Sequence, residues 1–211
     1  MRDFIKQNIS FIAWGIAVAV TVIAVTAWAQ NKNWQLVGLS SYEIFPVFGL
    51  LAFSLMWSHY IMGGIKAGFD LHGVKVDKNY FKVTAAVVLG SLLLHPTLLI
   101  WQLWRDGLGL PLESYKAYVA PGLIWAVYLG TVSWLVFMSF ELRHWCSKKS
   151  WWKYVLYAND TAIWAVYLHG LKLGADVAAP WLQQVWIFYG VALAAAFVAI
   201  YYKKGLWKTT A

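Results

Sequence analysis

Six apolar runs, near 8–29, 44–66, 80–104, 118–143, 152–173 and 181–202, constrain this chain more than any other feature. Each is close to the roughly 20 helical residues that cross a hydrocarbon core of about 30 Å. In lipid every backbone N–H and C=O needs an internal partner, so such runs fold as helices or as a closed barrel. A barrel requires period-2 alternation in segments of roughly ten residues, and the sequence has none. The expectation is an all-α, polytopic membrane protein, a six-transmembrane-helix bundle forming a single domain over 1–211. Composition agrees, with 61% of residues hydrophobic and 12% charged, far outside the soluble range. Trp28, Trp34, Trp101, Trp104, Trp145, Trp151, Trp152 and Trp181 cluster at the run ends, as an interfacial belt requires.

The first run follows Met1-Arg2-Asp3-Phe4-Ile5-Lys6 and ends near Ala27-Trp28-Ala29, which invites comparison with a signal peptide. Its apolar core exceeds the roughly 7–15 residues of a signal h-region, so it reads as a span. Orientation follows from the basic residues. Arg2, Lys6, Lys66, Lys75, Lys78, Lys82, Arg143, Lys148, Lys149, Lys153, Lys203, Lys204 and Lys208 fall on one side; Lys32, Arg105, Lys116 and Lys172 fall on the other. The positive-inside rule then places both termini in the cytoplasm of a multi-pass protein of the cell (inner) membrane. The net charge of +8 lies at span ends, so topology explains it and no nucleic-acid partner is expected. The single cysteine, Cys146, excludes an internal disulfide, a CxxC redox pair and a cysteine-held iron–sulfur cluster.

Two histidines sit deep in the runs, in Leu92-Leu93-Leu94-His95-Pro96 and in Tyr167-Leu168-His169-Gly170. An imidazole in hydrocarbon is costly unless satisfied, which makes each a functional candidate. Both spans run outward, with His95 15 residues beyond Tyr80 and His169 17 beyond Trp152. At about 1.5 Å per residue the two lie within a turn of one depth. Ala158, Ala162 and Ala165 share the His169 face, and Thr84 and Ser91 the His95 face, leaving a slot for a flat macrocycle. Each histidine alone could be an ordinary core group bonded to a carbonyl. Together they suit a haem iron held between two imidazoles, a b-type electron carrier with both axial positions filled. Zinc is disfavoured, since no third Cys, His or carboxylate lies near that depth.

The run from Phe81 through Leu93-Leu94-His95-Pro96 resembles the third span of the ferric reductase-like transmembrane domain, and the run from Trp152 to Gly174 resembles its fifth. The resemblance covers the six-span layout, the short loops and nearly the whole length; Leu-His-Pro is its most specific motif. It implies a relative of NADPH oxidases, ferric-chelate reductases and the haem-bearing subunit of periplasmic methionine sulfoxide reductase. Two-haem members carry a second histidine about four turns earlier on both spans. Here Phe81 or Lys82 and Val155 or Leu156 stand there, so the resemblance implies one heme b, on His95 and His169.

Further in, Asp160 of the fifth run and His59 of the second lie at similar depth, where a mutual hydrogen bond would satisfy both and Lys82 could reach them. That is either a polar tether or an inner site for FMN, FAD or a quinone, with Tyr80, Phe81, Tyr154 and Tyr157 nearby. Lys172, one turn beyond His169, is a candidate partner for a haem propionate, as are Arg105 and Lys116. His72, His144 and Cys146 read as bystanders near the cytoplasmic face. Only nine residues follow Tyr202 and no GxGxxG loop is present, so electrons are expected from a separate NAD(P)H–flavin reductase or from membrane quinol. The acceptor outside would be ferric chelate, oxygen or a periplasmic partner protein. A reading from another class is a cofactor-free proton-coupled transporter or channel, with His59, Asp160, His95 and His169 as a relay.

Overall fold

The computed structural model describes residues 1–71, 73–203 and 205; His72, Lys204 and Lys208 lie outside these, as does the side chain of His144. Among the described residues all regular structure is helical: α1 (Arg2–Asn31), α2 (Ser41–Gly68), α3 (Lys78–Arg105), α4 (Glu113–Tyr118), α5 (Ile124–Phe140), α6 (Arg143–Cys146), α7 (Trp152–Leu173) and α8 (Pro180–Lys203). Short 3-10 turns at Pro121–Leu123 and Asp176–Ala178 lead into α5 and α8.

Five helical stretches are long and apolar enough to cross a membrane: α1, α2, α3, Pro121–Phe140 and α8. The sixth expected run, α7, is helical over 22 residues. It carries Lys153, Asn159, Asp160, His169 and Lys172, which keep it outside that apolar set. The fourth run is shorter than the expected 118–143, because Tyr118 closes α4 and Arg143 opens α6.

The helices begin where short polar side chains cap them. Ser40 and Glu43 form a reciprocal capping box at the start of α2, with the Ser40 N–H 2.9 Å from Glu43 Oε2. Asp77 accepts the Asn79 N–H at the start of α3. Along α1 the buried positions Ile9, Ala13, Ala17, Val20, Ala24 and Ala27 recur every three or four residues. Such a face, mostly alanine, lets a neighbouring backbone come close, and that neighbour is α2.

Helix α2 is the hub: α1, α3 and α8 all pack on it, while α5 packs chiefly on α7. One hydrophobic core draws residues from all six long helices. The α2–α8 seam is tight at Gly64, where a Cβ would lie 2.6 Å from the Ala196 Cβ. It is pinned by the Trp57 indole, which donates to the Tyr189 carbonyl at 2.8 Å.

Gly64→Val should therefore overpack a helix–helix contact and lower stability by about 1–3 kcal/mol. Gly15→Ala, where nothing lies within 4 Å, should leave stability unchanged or slightly raised. Thermal unfolding of both variants in detergent checks the contrast.

Candidate functional site

On α3, Tyr80, Thr84, Val88 and Ser91 are buried at helical spacing, and His95 continues the same stripe, turned towards α2. The His95 Nδ1 lies 2.9 Å from the Phe45 carbonyl oxygen of α2. A carbonyl only accepts, so Nδ1 carries the proton and Nε2 keeps its lone pair. The imidazole reaches that carbonyl because position 49 is glycine. A Cβ there would lie 2.7 Å from His95 Cε1.

His169 repeats the arrangement on the other helix pair. Its Nδ1 lies 2.8 Å from the Ala126 carbonyl oxygen of α5, and a Cβ on Gly130 would lie 2.5 Å from that nitrogen. In both cases the glycine follows the accepting residue by four, so its own N–H bonds the same carbonyl within the helix. The two rings are 6.5 Å apart between centroids, with their planes at 82°.

Pro96, beside His95, lies within α3 and does not break it. Proline lacks an N–H, so the carbonyl four residues earlier, that of Leu92, is left without its helical donor. The Trp134 indole of α5 donates to it at 2.8 Å. The His–Pro pair thus ties α3 to two neighbours, α2 through the imidazole and α5 through the orphaned carbonyl.

Two neutral imidazoles, each with Nδ1 protonated and Nε2 unprotonated, are thus close together, and an unprotonated Nε2 is a nitrogen that a metal could take. Among the described residues no group of three or more His, Cys, Asp and Glu is placed to hold a bare ion. Two unprotonated imidazole nitrogens are donors of the kind that a haem iron takes.

Ser91 is buried one turn before His95, and its hydroxyl has no hydrogen bond to the described residues. Lys172 is exposed one turn beyond His169. The other basic residues considered for a propionate already have carboxylate neighbours: Arg105 is 4.0 Å from Asp106 and Lys116 is 2.8 Å from Glu113. The end of the bundle beyond the two histidines carries α4, where Tyr118 stacks on Tyr42 at 5.3 Å. Asp106 lies beside this pair, its carboxyl held below the usual range by hydrogen bonds from Tyr42 and Gln102.

The inner polar residues are arranged differently from the expected pair. His59 and Asp160 do not bond each other. His59 Nε2 meets the Thr84 hydroxyl of α3 at 2.7 Å. Asp160 accepts from Tyr60 at 3.0 Å and also from Tyr201. They do line one cavity of about 270 Å³, with Tyr60, Gly63, Phe197 and Ile200. Lys82 is exposed and is not part of its wall. Tyr154 and Tyr157 are exposed on α7, whereas the Tyr80 and Phe81 rings lie 5.6 and 5.4 Å from His59. Asp160 is nine residues before His169 and faces α8 and α2 while His169 faces α5, as helical geometry requires.

Comparison of the chain with protein-family models, with curated proteins and with solved structures finds no match.

Gly49, Gly130, Trp134, Tyr60 and Tyr201 are the site residues that sequence reasoning missed. The glycines did leave a signal, since an isolated glycine in an apolar helix marks a close approach. A double-mutant cycle tests the role of Pro96. Trp134→Phe should cost about 1–3 kcal/mol by leaving the Leu92 carbonyl unpaired. In a Pro96→Ala background it should cost much less, because the restored N–H at position 96 bonds that carbonyl. Equal costs in both backgrounds would contradict the assignment.

Proposed function

We propose that this protein is a membrane b-type cytochrome that holds one heme b between His95 and His169 and carries electrons outward across the cell membrane. The observation that carries the reading is the repeated device at the two histidines. Each Nδ1 is fixed on a backbone carbonyl through a glycine gap, each Nε2 is left unprotonated, and the ring centroids lie 6.5 Å apart. The group would supply one-electron chemistry between ferric and ferrous iron.

The chain's residues do the positioning. Phe45 and Ala126 accept the imidazole N–H groups, which fixes the tautomer and raises the basicity of the ligating nitrogens. Ser91 and Ala162, buried on the faces that carry His95 and His169, would leave room for the macrocycle, and Lys172 would neutralise a propionate. Helix α7 serves as the sixth span, with Asp160 turned towards α2 and α8 and His169 towards α5. Both termini face the cytoplasm, in keeping with the excess of Lys and Arg on that side.

This reading agrees with the resemblance to the ferric reductase-like transmembrane domain, in a single-haem form. Electrons would come from a separate NAD(P)H–flavin reductase or from quinol, with an FMN, FAD or quinone site on the inner side. They would leave to ferric chelate, to oxygen or to a periplasmic partner protein of the methionine sulfoxide reductase type.

His95→Ala and His169→Ala should each abolish the low-spin haem spectrum. Gly130→Val, which pushes the His169 ring off its carbonyl, should weaken haem retention by about 10–100-fold, the usual cost of losing such support. Gly90→Ala, with open space around it, should leave the spectrum intact. Reduced-minus-oxidised spectra of the four purified variants decide the matter. An unchanged spectrum in either histidine variant contradicts the assignment.

A further inference from the structure

Two of the residues lining the cavity between α2, α7 and α8, His59 and Asp160, carry hydrogen-bond acceptors. The Thr84 hydroxyl donates its one proton to the Tyr80 carbonyl at 2.7 Å. It must therefore accept from His59 Nε2, which makes Nε2 the protonated nitrogen of a neutral imidazole. His59 Nδ1 is thereby an acceptor, and it has no partner among the described residues. Across the cavity, the Asp160 carboxylate takes one hydroxyl on each oxygen, from Tyr60 and from Tyr201. Each oxygen retains a further lone pair.

The remaining walls are flat and apolar. Tyr60 stacks on Phe197 with centroids 5.1 Å apart and planes at 24°, and Ile200 completes the lining. Gly63 contributes no side chain, and a Cβ there would come within 3.3 Å of Ile200 Cδ1. No Lys or Arg lines the space, so it does not suit an anion. With one carboxylate already holding two hydroxyls it does not suit a metal ion. Two opposed acceptors between aromatic and aliphatic walls call for a planar apolar ring with a donor at each end.

We propose that this cavity binds the ring of a hydroquinone, a lipid-soluble aromatic diol, with one hydroxyl on His59 Nδ1 and the other on Asp160. The 270 Å³ of space holds a single substituted ring. Oxidation of the diol to the quinone releases two protons and two electrons. One proton goes to His59 Nδ1 and the other to the Asp160 carboxylate. The haem that His95 and His169 would hold supplies one-electron chemistry, so the two electrons would leave one at a time, the first passing on to the outer acceptor before the second is taken up. This last step rests on the cytochrome reading; binding of the ring does not. Asp160 is nine residues from His169 along α7, about 14 Å at helical rise.

The test uses the full chain in phosphatidylcholine nanodiscs with decylubiquinol and decylubiquinone as probes. Trp164 packs on Phe197 at 6.0 Å, so a ring in the cavity quenches its fluorescence. Saturable quenching is expected in the wild type. Gly63→Leu, which fills the cavity, and Asp160→Asn should each weaken it by about tenfold or more, equivalent to about 1.4 kcal/mol. Decylubiquinol should also reduce the wild-type haem, and do so at least about tenfold more slowly in His59→Phe, while dithionite reduces both fully. Non-saturable quenching, or quenching unaltered by Gly63→Leu, overturns the proposal. Haem reducible by dithionite without saturable quenching overturns it too and leaves the cytochrome standing. Saturable, cavity-dependent quenching with no haem bands would uphold the binding site and remove the cytochrome.

Discussion

Two N–H···O=C hydrogen bonds, from His95 to Phe45 and from His169 to Ala126, organise the centre of this molecule. A buried imidazole without a partner would cost several kcal/mol in hydrocarbon. The bundle meets that cost twice by the same means, a carbonyl exposed beside a glycine on the adjacent helix. Because each carbonyl already belongs to a helical ladder, the histidine bond adds an acceptor role without breaking the helix. The arrangement also decides chemistry. It fixes the proton on Nδ1 and leaves Nε2 with its lone pair.

The same economy recurs at Pro96 and at Thr84. Proline removes a donor from α3, and the freed Leu92 carbonyl becomes the anchor for Trp134. Thr84 spends its proton on the Tyr80 carbonyl and so dictates the tautomer of His59. In lipid, where helix association gains little from hydrophobic burial, such bonds and close small-residue contacts carry much of the specificity. The helices that bear the histidines are thus held in place by the elements that set their protonation.

The sequence and the structure agree best on features that depend on one helix at a time. The apolar runs mark the long helices, and residue spacing puts His95 and His169 at one depth. Features that depend on which helices pair were not legible. Nothing in the run 44–66 says that Gly49 faces His95, because that needs the α2–α3 register. His59 was matched with Asp160 on depth alone, yet Thr84 on the adjacent α3 lies closer to it, and two tyrosines, one from α8, satisfy the carboxylate. Helix α7 reads as a span by length, but it carries exposed Lys153 and Lys172 as well as Asp160 and His169, which bond neighbouring helices, and these residues keep it outside the apolar set.

The central claim is that two imidazoles, and nothing else in the chain, hold a single haem. Pyridine haemochrome quantification against protein concentration, with electron paramagnetic resonance of the oxidised protein, tests it most directly. The account predicts one heme b per chain with a low-spin ferric signal of bis-imidazole type. No haem, a ratio near two, or a high-spin signal would contradict it.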